Sequence, residues 1–226
     1  MGKPILVVAT RQRTAHFVRM IFHTLFEPRH GTRLSLRTPL EKVRRLQLKP
    51  FNAEVVFAAD SIVQIGGTDL ATLKAEAAQN PRRRKRICAH PDSGDRLHEM
   101  FIVHERGCYV RPHKHLDKCE SLHVIEGTAE AVFFHEDGTV RDVVALGDYR
   151  SGAPFFYRVG QPVYHTLLIT SPVFVFHETT GGPFRREDTI FAPWAPTEEQ
   201  TDAVTAFTQR VSEAVTAFKH NRTLVS

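Results

Sequence analysis

From residue 98 to residue 178 the chain runs in short segments of alternating apolar and polar character, separated by turn residues at intervals of about ten residues. The segments fall at 98–104, 108–114, 121–125, 129–135, 140–145, 155–158, 165–169 and 173–178. A run of short strands with no helices between them specifies an antiparallel sandwich or barrel and excludes a βαβ arrangement. Glu136-Asp137-Gly138 supplies one of the hairpin turns, since glycine tolerates the positive backbone angle such turns require. Within this frame the stretch 107–127, GCYVRPHKHLDKCESLHVIEG, carries chemistry. Residues two apart in a strand share a face, so His113 and His115 offer two imidazoles to one ion. Glu120 follows after room for a turn and returns a carboxylate, and His165 is the fourth candidate ligand.

The spacing G-x5-H-x-H-x4-E-x6-G resembles the first motif of the cupin superfamily, whose small antiparallel barrels hold a metal with three His and one Glu. VGQPVYHTLLIT around His165 is similar to the second motif, with a longer gap after Gly160 and Ile169 where many cupins carry Asn. The likeness narrows to WbuC-type cupin-fold metalloproteins, often encoded near surface-polysaccharide genes. It runs from about residue 53 to residue 198 and includes NPRRRKRICAH (80–90), RLHEMFIVH (96–104), YVRPHKH (109–115), ESLHVIEG (120–127), YHTL (164–167), FHETTGGPF (176–184) and FAPWAPTE (191–198). The resemblance implies an all-β dominated, cupin-type double-stranded β-helix, a jelly-roll barrel. One divalent metal, with Fe, Mn, Zn and Ni undistinguished, would sit on His113, His115, Glu120 and His165. It also implies a homodimer, and it brings no established reaction.

Helices are expected on both flanks. Thr68 is a candidate N-cap, Leu70, Leu73 and Ala77 share a face, and Pro81 stops the helix after Asn80. Strands at 55–57 and 62–65 precede it. Beyond Trp194, Thr197 and Gln200 form a capping box, and Val204, Phe207, Val211, Val215 and Phe218 recur at spacings of three and four. That amphipathic helix covers either the outer face of the barrel or a second subunit. Trp194 is expected to pack, with stacking on a sugar ring as its functional alternative.

At 226 residues and 42% hydrophobic composition the chain can bury one good core. The expected division is a basic N-terminal extension at 1–50, the barrel at 51–196 and a C-terminal helix and tail at 197–226. The basic pI of about 9.3 arises locally. Residues 1–50 hold eleven Lys and Arg against Glu27 and Glu41, which leaves the remainder net acidic by four charges. A basic arm on a mildly acidic barrel describes two units of different character; nucleic-acid binding through residues 1–50 is an unfavoured alternative, and nucleic acid is not an expected partner. The extension contains a strand-like run at 4–9 and an apolar stretch at 15–26. It is a translated upstream segment foreign to the natural fold, a targeting or tethering arm, or an element docked on the barrel. Three cysteines without C-x-x-C spacing argue against a disulfide framework and for a reducing cytoplasm. No apolar run reaches membrane-helix length, and the opening lacks a signal-peptide core, so a cytoplasmic protein with no membrane partner is expected.

Strand parity assigns further roles. Tyr109 and Arg111 share parity with His113 unless Pro112 introduces a bulge, which would put a proton donor and an oxyanion clamp beside the metal. Glu178 alternates with Phe174 and Phe176 and points inward, as a proton carrier or a partner of the ligands. His98 shares a face with Met100 and Ile102 and either contacts substrate or is a buried, hydrogen-bonded histidine. His123 faces outward. The basic run 82–86 is a solvated surface or a contact for an anionic ligand. The alternation of Arg86, Cys88 and His90 describes a strand laid against the barrel without a defined role. These features suit a metal-dependent isomerase, epimerase or lyase acting on a small polar substrate, and the resemblance implies that the substrate is sugar-like and belongs to surface-polysaccharide metabolism. The alternatives are an iron dioxygenase and a non-catalytic protein that senses metal or carbohydrate.

Overall fold

A computed structural model describes residues 45–223. The strands are β1 (Leu48–Pro50), β2 (Val55–Ala58), β3 (Arg84–Cys88), β4 (Leu97–Glu105), β5 (His113–His115), β6 (Glu120–Glu126), β7 (Thr128–Phe134), β8 (Val140–Gly147), β9 (Phe156–Val159), β10 (Tyr164–Ile169), β11 (Val173–Gly181) and β12 (Thr189–Phe191). Helix α1 (Gly67–Gln79) lies before β3, and α2 (Thr201–Thr223) closes the described chain. Strands β4 to β11 take the orders β4-β11-β6-β9 and β5-β10-β7-β8, with every neighbour antiparallel. Two four-stranded antiparallel sheets in this order are a jelly roll. Strands β1, β2 and β3 extend the first sheet beyond β4, with β2 and β3 as its parallel pair, and β12 extends the second beyond β5.

The period of two sorts the side chains into layers. Met100, Ile102, Leu122, Val124, Ala131, Phe174 and Phe176 turn inward and form the core between the sheets. Their neighbours of opposite parity face out. Val103, Val175 and Ile87 meet Leu73 and Ala77 of α1, and Val132, Phe134 and Tyr164 meet Phe207, Val211 and Val215 of α2. The apolar stripe of α2 therefore covers the barrel's outer face. Trp194 packs against Phe134, Tyr164 and Phe207 and donates from Nε1 to the Glu136 carbonyl at 3.0 Å, a packing position.

Several local expectations are corrected. Helix α1 starts at Gly67, and its N-cap is Gly66, two residues before Thr68, because the Asp69 carboxylate accepts from the Gly66 backbone N–H at 2.9 Å. Residues 62–65 form no strand; Ile62 is exposed and this segment has no ladder partner among the described residues. The strand expected over 108–114 is reduced to β5, since Pro112 offers no N–H to a ladder. Expectations for 4–9 and 15–26 lie outside the described residues. Among the described residues no helix is long and apolar enough to cross a membrane.

Candidate metal centre

Strands β5 and β10 are neighbours with His113 directly opposite His165, so one ladder pair brings two imidazoles together across some fifty residues of sequence. His115 follows on the same face of β5, and Glu120 opens β6 after a short connection. One ligand atom from each of His113, His115, Glu120 and His165 lies within 4.8 Å of all the others. Donors about 2.1 Å from a shared ion stand a few ångströms apart, which is the separation found here.

The rings are oriented from behind. His113 Nδ1 lies 2.9 Å from the Arg111 carbonyl, and His165 Nδ1 lies 3.0 Å from the Val163 carbonyl. A carbonyl only accepts, so Nδ1 carries the proton in both rings and the Nε2 lone pair is left for the centre. His115 Nδ1 is 3.2 Å from Thr189 Oγ1, a contact created by the pairing of Thr189 with His115 across β12 and β5. Toward the centre, His115 Nε2 stands 3.1 Å from Glu120 Oε2 and His165 Nε2 stands 3.5 Å from Glu120 Oε1. His165 Nε2 is buried without a hydrogen-bond partner.

Burial by itself would raise the Glu120 carboxyl, yet His165, His115 and His113 together hold it well below the ordinary carboxylate range. Burial likewise opposes charge on His165, and the Glu120 carboxylate overcomes it and raises the imidazole above 6.5. His113 is pulled down to about 4 by burial first and by His165 second. The quartet is thus a buried anion among imidazoles, which a proton on His165 balances in part. A divalent cation fits the same donors and neutralises the same charge, so the residues present suit the metal that the spacing implies.

The quartet opens on a cavity of about 520 Å³ between the sheets. Glu178 faces it, with its carboxyl pushed up to about 8 by burial and then by Glu120. Arg111 lines the same space, with its guanidinium 4.9 Å over the Phe191 ring. His98 also lines it, stacked on His90 at 4.2 Å between ring centroids, and its buried Nε2 has no partner. Tyr109 does not share the site. Its hydroxyl donates to the Pro196 carbonyl at 2.9 Å and its ring meets Phe207 of α2, because the chain before Pro112 is no longer β-strand and parity does not carry across it. The structure adds Tyr157 and His104, to which the sequence assigned no role, and Arg86, one of the basic run 82–86 read as a solvated surface or a contact for an anionic ligand. Tyr157 lines the cavity beside Glu178, and Arg86 and His104 line it from β3 and β4. For Arg86 the signal was present in its alternation with Cys88 and His90; Tyr157 sits in a short edge strand with no such mark.

A family model described as a domain of unknown function (DUF6016) matches residues 65–146, which include three of the four clustered residues and stop before His165. No curated protein matches the chain by sequence. Solved structures similar to it include a sugar phosphate isomerase from a cupin superfamily of Silicibacter pomeroyi, at 14% identity and a TM-score of 0.31, covering 39% of this chain and 52% of that one. KdgF from Halomonas sp. shares 15% identity at a TM-score of 0.37, covering 48% of this chain and 86% of that one. The oxalate decarboxylase OxdC of Bacillus subtilis, solved as a point variant, shares 15% identity at a TM-score of 0.38, covering 48% of this chain and 27% of that one. At such scores the fold assignment stands on the strand order of the chain itself. That order and the buried quartet define the class: a jelly-roll protein with a candidate metal centre.

Proposed function

We propose that the chain is a metal-dependent enzyme of the cupin type acting on a small, polar, sugar-like molecule. The observation that carries this reading is the convergence of His113, His115, Glu120 and His165, three of them with Nδ1 engaged from behind, on the wall of a cavity of ligand size. A divalent ion on these four residues would act as a Lewis acid toward a carbonyl or hydroxyl oxygen. Glu178 holds a proton near neutral pH and faces the cavity, so it is the group placed to give or take one at the substrate. Arg111 orients an oxygen-rich ligand, and the apolar residues between the sheets exclude water from the far side. The proton role belongs to Glu178 rather than Tyr109, whose hydroxyl is committed to Pro196. Isomerisation, epimerisation or elimination fits this set. The sugar-like substrate, a place in surface-polysaccharide chemistry and a homodimer rest on the resemblance of the motif segments.

Metal analysis of protein purified without added metal, followed by a turnover screen over sugar nucleotides, sugar phosphates and small acids, tests the reading. The expected result is one divalent ion per chain and a metal-dependent product that His113→Ala abolishes. Ligand binding without any product would favour a sensor, and oxygen consumption would make the protein a dioxygenase. Light scattering of the purified chain tests the dimer.

A further inference from the structure

Because β1, β2 and β3 lengthen the β4 sheet sideways, the cavity continues past the jelly roll onto β3. Arg84 and Arg86 alternate onto its wall, beside His104 and Ile102 of β4. These two arginines differ in one respect. Arg84 Nε donates to Glu54 at 2.8 Å and its Nη1 lies 3.4 Å from Glu198, while Arg82 pairs with the same two carboxylates. Lys118, also on the wall, is matched by Asp188 at 3.2 Å. Arg86 has no ion pair among the described residues, and its Nη1 reaches Met100 Sδ at 3.8 Å. Arg111, on the segment leading into the other sheet, has none either. Its Nη2 donates to the Ala192 carbonyl at 3.4 Å, and its buried Nε is without a partner.

A partly buried guanidinium without a counter-charge is unfavourable unless oxygen acceptors arrive from elsewhere. The carboxylates of the wall do not supply them. Glu54 and Glu198 are taken by Arg82 and Arg84, and Glu120 is held by His115 and His165. Arg86 lies within electrostatic reach of Glu178, whose carboxyl burial pushes up to about 8, and Arg111 within reach of the exposed Glu199, but neither arginine forms an ion pair with them. We propose that the cavity takes an acid, a ligand whose carboxylate or phosphate is gripped by Arg86 and Arg111 while its other end faces the quartet. The second half of this statement rests on the metal-centre reading and the first half does not. Arg86 stands three strands from Glu120 across one sheet, roughly 14 Å of backbone separation at about 4.8 Å per strand. Arg111, with its guanidinium over the Phe191 ring that neighbours His113, reaches the ligand from the quartet side, so the acid group lies between the two arginines, where binding energy positions a substrate without taking part in its chemistry.

Calorimetric titration of the metal-loaded full chain with glucose 6-phosphate, glucuronate and glucose compares one ring bearing a phosphate, a carboxylate and no acid. At least one acid is expected to bind about tenfold or more tightly than glucose. Arg86→Gln and Arg111→Gln are each expected to lower that affinity at least about tenfold, and Arg84→Gln, whose charge is already matched, by less than about threefold. Should Arg86→Gln fail to fold, Arg86→Lys keeps the charge, loses the planar fork and is expected to weaken the acid by about threefold or more. Glucose binding as tightly as both acids, no binding of either acid, or unchanged acid affinity in the Arg86 and Arg111 variants overturns the proposal. Metal stoichiometry measured on each protein keeps the readings apart. A wild-type chain that retains no metal sinks the metal centre, and the same titrations on it still decide the guanidinium clamp.

Discussion

His113 and His165 share one device: each imidazole turns its Nδ1 back to the carbonyl of the residue two before it and leaves Nε2 for the centre. Glu120 raises the proton affinity of His165, so metal and proton compete for one lone pair. Below the raised His165 value that lone pair is occupied. Metal affinity should accordingly climb about tenfold per pH unit from pH 6 and level off once His165 is neutral, which cobalt titrations followed by absorbance at several pH values would check. His104 makes a separate prediction for the metal-free chain. Burial, with Arg84 and Arg86 adding repulsion, holds it at about 3 against an ordinary 6.5. Above pH 6.5 the folded and unfolded chains both carry it neutral, and stability is full. As pH falls below 6.5 the unfolded chain takes a proton that the folded chain refuses, so stability drops by about 1.4 kcal/mol per pH unit until about 3. Denaturant melts at pH 7.5, 5.5 and 4.5 should show this loss, and His104→Phe, beside the Phe176 ring, should reduce the slope by that one proton.

Among the elements, Gly127, which closes the metal-ligand stretch, is a position that only glycine fills. It joins β6 to β7 at φ +86°, and a Cβ there would overlap the carbonyl oxygen of Val173, which the ladder of β11 with β4 holds in place. Gly152 also has a positive φ, +75°, with open space where its Cβ would be. Gly127→Ala should cost about 2 kcal/mol or more, and Gly152→Ala about 1 kcal/mol, the left-handed conformation alone. Urea unfolding of the two variants measures the difference. Element by element, the period of two was legible wherever a strand was continuous: Met100, Phe176 and Glu178 face inward as their alternation required. It failed over 108–114, where Pro112 ended the strand and turned Tyr109 to α2. Thr68 lost its capping role to Gly66 for a comparable reason, since the reach of the Asp69 carboxylate, rather than residue type at the cap, set the first turn.

For the whole molecule, the two sheets keep the site apart from the helices that cover them. Phe207 belongs to the cluster under α2 and shares no contact set with the quartet on the opposite face of the same sheet. Phe207→Ala should therefore lower stability by about 3 kcal/mol while metal stoichiometry stays at that of the wild type, a pairing checked by thermal melts and metal analysis of one preparation. The sequence by itself determined the alternation, the turns and the amphipathic stripe of α2, because these are local properties of residues a few positions apart. It also marked His113, His115 and Glu120 as a set, since one hairpin's reach joins them. Only tertiary structure decided the rest. The register of β10 on β5 placed His165 opposite His113, β12 brought Thr189 behind His115, and the addition of β3 to β4 turned Arg86 toward the cavity with no ion pair among the described residues. Each depends on which strands become neighbours, and that is set by the burial of apolar faces across the whole chain rather than by spacing along it.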